Sequence, residues 1–118
     1  MFRLDEARAV LDELRPALDE FVQVRADAAE LSAALAGGVP TALGGRAELK
    51  AAEARCDDLL SQIVGAGVEL KGYAPLLLDF PSLLDDEAVQ LCWLEGETGL
   101  EWYHRTDLGY LGRRRLPD

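Results

Sequence analysis

Along the first third of the chain, Val10, Leu14, Ala17, Phe21, Val24, Ala28, Leu31 and Leu35 follow one another at alternating steps of four and three. That spacing puts all eight on one stripe of a helix. Leu11 and Leu18 widen the stripe, while Asp12, Glu13, Asp19, Glu20, Asp27 and Glu30 fall on the other sides, facing water. Asp5 and Glu6 suit a helix N-terminus, where carboxylates meet the unpaired N–H groups. Pro16 removes a backbone donor and crowds the preceding turn, so it predicts a kink or two abutting helices. Gly37-Gly38-Val39-Pro40 ends the pattern and Gly44-Gly45 precedes a second one, in which Leu49, Ala52, Cys56, Leu59, Ile63 and Ala66 again step by three and four. The short connection favours antiparallel neighbours. Helices are therefore predicted over about 5–36 and 45–65, with Val10, Phe21, Leu31, Leu49, Leu59 and Ile63 in the core. The first helix is the longer, and Leu11, Leu18 and Val22 flank its seam beyond the reach of a single partner helix.

After Gly65-Ala66-Gly67 the pattern changes from alanine-rich to alternating and aromatic. Val68-Glu69-Leu70-Lys71 alternates as a half-buried strand does. Pro75 to Pro81 is a second short strand, and its bracketing prolines predict an edge position or the strand's boundaries. Ala88–Glu95 and Leu100–His104 form the clearest pair, with Gly96-Glu97-Thr98-Gly99 as the turn between them. With Thr98-Gly99 as a two-residue loop, Glu97 pairs with Leu100, Glu95 with Trp102 and Trp93 with His104. The fold class this predicts is α+β: a long antiparallel helical hairpin followed by a small antiparallel β-sheet of 3–4 strands.

At 118 residues the chain has the length of one domain. Residues 1–66 would be the hairpin and 67–118 the β-unit with its C-terminal tail. No apolar run reaches the roughly 18 residues of a membrane span, and the opening residues lack the layout of a signal peptide, so a cytoplasmic location away from membranes is expected. The net charge of −10 argues against a nucleic-acid partner. Arg113-Arg114-Arg115 is a local exception, read as a solvated or ion-paired tail. Cys56 and Cys92 lack metal-type spacing and are expected as reduced thiols, Cys56 as a small apolar seam residue.

Leu78-Asp79-Phe80-Pro81, Leu91-Cys92-Trp93-Leu94 with Gly96-Glu97, and Trp102, His104, Gly109 and Gly112-Arg113 together resemble an uncharacterised bacterial family known only as a domain of unknown function, numbered 2203. Phe2, Glu6-Ala7 and Leu14-Arg15-Pro16 extend the resemblance over nearly the whole chain. It implies a bacterial cytoplasmic protein of similar architecture and names no reaction.

In the register above, one face of the final hairpin carries Trp93, Trp102, Glu95, Glu97 and His104. Indoles that lower the local dielectric beside a carboxylate and an imidazole would make a pocket wall fit for acid/base work. Asp79 at a strand end and Arg113 after two glycines complete a candidate ligand-binding set of Asp79, Trp93, Glu97, Trp102, His104 and Arg113. Arg113 would hold an anionic group, or instead pair with Asp79 or Glu97 and pin the tail. Whether Asp79, Glu97 and His104 converge on a metal ion stays open, and no cofactor is expected. Cys92 falls opposite His104 across the hairpin, which disfavours thiol chemistry. Two function classes remain. The favoured one is a structural or interaction protein self-associating as a homodimer through its helical hairpin. The alternative is a small-molecule-binding protein or enzyme with its site around Asp79, Glu97, His104 and Arg113. A packed cluster favours the first and an open, concave one the second.

Overall fold

The structure, a computed structural model, describes residues 1–117. Two long helices, α1 (Leu4–Gly37) and α2 (Arg46–Gly65), form the helical hairpin. A five-stranded antiparallel sheet follows in the simple order β1 (Glu69–Tyr73), β2 (Leu76–Leu84), β3 (Glu87–Leu94), β4 (Trp102–Arg105) and β5 (Arg114–Arg115). The chain is α+β as expected, with one strand more than the pattern showed: the Arg114–Arg115 pair. Among the described residues, no helix is long and apolar enough to cross a membrane. Two compact units are distinguishable, Met1–Leu14 with Val64–Asp118, and Arg15–Ile63.

In the Arg15–Ile63 unit, Ala17, Leu18, Phe21, Leu31, Leu59 and Ile63 are buried. Val24, Ala28, Leu49, Ala52 and Cys56, all on the predicted seam, are only half-buried, and Leu35 is exposed. Leu49 is thus less covered than expected, as is Val10 in the other unit. Leu18, and Leu11 in the other unit, which were expected to need a partner, are instead among the most buried residues. Pro16 lies within one continuous α1 and is solvent-exposed. The N–H it lacks is missing from the wet side of the helix, where water serves the freed carbonyl, so two separate helices are not needed. Arg55 forks onto Glu20 with Nε and Nη2 at 2.5 and 2.7 Å, tying α2 to α1. Gly45 N–H and Glu48 Oε1 (2.8 Å) cap the start of α2.

In the other unit, β2 is not an edge strand: it pairs with β1 and β3 together. Pro81 is tolerated because β1 reaches only as far as Asp79. Beyond it the outer side of β2 meets Phe2, whose N–H donates to the Pro81 carbonyl (2.7 Å). Phe2 then lays its ring edge-on to Phe80, 5.6 Å between centroids. β2 and β3 are joined by a two-residue loop, Asp85-Asp86, both residues with positive φ (50° and 63°). Such mirror-image turns match the strand twist, and aspartate tolerates the left-handed region better than most side chains.

The connection from β3 to β4 is longer than predicted. Leu100 drops into the core, and Arg8 holds its carbonyl with Nε and Nη2 at 3.3 and 3.1 Å. Those residues are unavailable for the tight turn, and His104 pairs with Gln90 rather than Trp93. The shift is odd, three residues, so it exchanges the faces of β3 relative to β4.

Candidate functional site

Side chains opposite one another in an antiparallel ladder share a face. Asp79 opposes Cys92, Cys92 opposes Trp102, and Gln90 opposes His104. One face of the sheet therefore carries Asp79, Cys92, Gln90, Trp102 and His104. Trp93 points to the other face and leaves the predicted set; its indole N–H donates to the Glu97 carbonyl at 2.9 Å. Cys92, expected across the hairpin from His104, is beside it.

The remaining predicted residues fall into two groups. In the first, His104 Nε2 lies 3.0 Å from Asp79 Oδ2, with both side chains almost wholly buried. His104 Nδ1 faces the Arg105 carbonyl at 2.8 Å, and since a carbonyl only accepts, Nδ1 is the donor. Lys71, on the edge strand β1, reaches Asp79 Oδ2 at 3.6 Å but sits closer to Glu69, at 3.2 Å. Its ammonium is held above the usual lysine range, first by the hydrogen bond to Glu69 and then, against the opposing effect of burial, by Asp79.

The second group fastens the tail. Arg113 donates through Nη2 to Glu97 Oε1 (2.6 Å) and to the Cys92 carbonyl (3.1 Å). Its guanidinium also stacks over the rings of Trp102 (4.9 Å) and Tyr110 (5.2 Å). Glu97 is folded back rather than held at a hairpin tip, and its Oε1 also accepts from the Leu94 N–H (2.7 Å). Burial works against the charge of Arg113, yet the contact with Glu97 outweighs it and raises the arginine pKa. Of the two roles weighed for Arg113, the geometry is that of an ion pair with Glu97 that pins the tail. Trp102 is flanked by Arg113 and by Arg115, the latter 5.3 Å from its ring.

Cys92, Gln90 and Lys71 are the residues the sequence reading left out of the site. Cys92 is fully buried, and desolvation first, then the Asp79 carboxylate, push its thiol up to about 12. At neutral pH it is a protonated thiol with little nucleophilic character. Ellman's reagent should accordingly leave Cys92 unreacted in native protein and reach it only on unfolding. The same shift has a pH sign. A folded-state pKa above the unfolded value of about 8.5 gives stability that is complete below that value and is lost as pH rises toward 12. Prompt reaction of both thiols in folded protein at pH 8 would contradict this burial.

A groove of about 850 Å³ in this unit is lined mainly by Leu70, Lys71, Tyr73, Leu77, Leu94 and Tyr110. It contains none of the six predicted residues. Asp79, Cys92 and His104, all buried, are arranged to hold protons or a cation out of contact with bulk solvent.

A family model described as an uncharacterized conserved protein, DUF2203, matches residues 1–116. Comparison with curated proteins and with solved structures found no match.

Proposed function

Taking as premise that this chain belongs to the DUF2203 family, whose description names no reaction, we propose that it is a structural or interaction protein that pairs with a second copy of itself through the Arg15–Ile63 hairpin. The observation that carries this reading is the half-open seam. Val24, Ala28, Leu49, Ala52 and Cys56 occupy the apolar stripes of α1 and α2, yet each keeps part of its surface exposed. Two helices alone cannot enclose a core, whereas two hairpins pack as a four-helix bundle, and two-fold dimers are the commonest assemblies. The packed state of the polar cluster supports the same reading, since Arg113 is ion-paired with Glu97 and Asp79 and His104 are closed to solvent. A net charge of −10 accords with a protein partner rather than a nucleic acid.

Sedimentation equilibrium tests the proposal. At tens of micromolar, wild-type protein should have twice the chain mass. Val22→Glu, at the half-buried margin of the α1 stripe, should give the chain mass with unchanged helical circular dichroism, because a charge there is tolerated in the monomer but not in the bundle. A wild-type protein that stays at the chain mass removes the reading.

A further inference from the structure

Asp79, Cys92 and His104 arrive from three adjacent strands, and their carboxylate oxygen, sulfur and ring nitrogen all lie within 4.8 Å of one another, with all three residues buried. Two features besides the clustering point to an ion. Asp79 is 2 % exposed and its Oδ1 has no hydrogen-bond partner; neither does Oε1 of Gln90, the residue opposite His104. Buried polar atoms are rarely left in that state, and an orphaned carboxylate oxygen within the cluster, with a second orphaned acceptor on the residue paired with His104, asks for a cation or donor. Secondly, His104 Nδ1 is already committed as a donor to the Arg105 carbonyl. That leaves Nε2 as the ring atom facing Asp79 Oδ2 at 3.0 Å, where either a proton shared by the two or a metal ion can sit.

We propose that Asp79, Cys92 and His104, with Gln90 Oε1 as fourth donor, form a structural site for one divalent transition-metal ion, Zn²⁺ being the best match. Thiolate, imidazole and carboxylate are the donor types zinc takes, and a site closed to solvent with four protein donors is of the structural kind. Ligands on one tetrahedral zinc stand roughly 3.5 Å apart, so the present spacing closes with side-chain movements of about an ångström. On binding, the ion forms its bond to sulfur as the thiol proton leaves for solvent, and the proton shared by Nε2 and Oδ2 in the metal-free protein leaves as well, freeing both lone pairs for the ion. Lys71 provides the way in. Its half-exposed side chain already prefers Glu69, so it can swing off Asp79 and leave the carboxylate to the ion. The other nearby cation, Arg113, is neutralised by Glu97. The ion would clamp β2, β3 and β4 together.

Full-length protein stripped with a chelator and titrated with Co²⁺ decides the matter. The expected result is one equivalent per chain, with the intense visible bands of tetrahedral cobalt and a near-ultraviolet thiolate charge-transfer band, both erased by Zn²⁺. Cys92→Ser should abolish the charge-transfer band and weaken binding about a hundredfold or more, since even changes outside the ligands cost 10–100-fold. Because buried variants can lose the fold, two others complete the test. Cys56→Ser should keep the full spectrum, and Lys71→Ala should tighten binding by about fivefold, the upper range for losing an exposed competing charge. No saturable binding to the wild type, loss of the thiolate band in Cys56→Ser, or weaker binding in Lys71→Ala would each overturn the site.

Discussion

Phe21→Ala should lower the stability of the fold by about 3–5 kcal/mol, the range for truncating a buried aromatic side chain. Phe21 is 2 % exposed and lies on the α1 stripe between Ala17 and Leu31, both buried as well. Its ring also supports the Arg25 guanidinium, 5.7 Å from the centroid, so the loss is of apolar burial together with a cation–π contact. The seam around it is thinly covered, since Val24 and Ala28 are half-exposed. Urea melts of wild type and variant at equal protein concentration measure the difference. A loss below about 1 kcal/mol would place Phe21 outside the core.

His104→Leu, assayed in the presence of a chelator, should cost about 3 kcal/mol. The imidazole is the nearest partner of a carboxylate that is itself almost wholly buried, and Asp79 Oδ1 already lacks a partner. With His104 gone, only Lys71 at 3.6 Å remains, through a side chain 45 % exposed and shared with Glu69. Stranding a buried polar group costs about 1–3 kcal/mol and breaking a buried ion pair about 3–5 kcal/mol, and this pair falls where the ranges meet. The double variant Asp79→Leu with His104→Leu should recover most of the loss, because removing both partners strands neither. Should the double variant be as unstable as the single one, the penalty would belong to packing at position 104 and not to the orphaned carboxylate.

The sequence by itself determined what local physics determines. A stripe repeating every three to four residues, stopped by Gly37-Gly38 and Gly65-Ala66-Gly67, leaves the backbone little choice but two helices, and their ends fell within a residue or two of the expected ones. Alternation and aromatic content mark the strands for the same reason, and Asp79 and His104 stand out by their place at the ends of predicted strands. Which face each strand residue would take was a different matter. It depends on the parity of the pairing register, and no single strand contains that information. Two turns competed to set it. The glycines around Thr98 advertised a tight hairpin, but Leu100 is worth more in the core, with Arg8 on its carbonyl, than in a turn. The turn that did form, Asp85-Asp86, carries no glycine and gave a weak local signal. Read as a two-residue loop, it places Asp79 opposite Cys92 at once, and from there the cluster with His104 follows. The coverage of α1 was likewise beyond the pattern: Leu18 is buried while Val24 and Ala28, at the centre of the stripe, stay half-open. A helix shows in its own sequence which side is apolar, but how much of that side is covered depends on where its partners end.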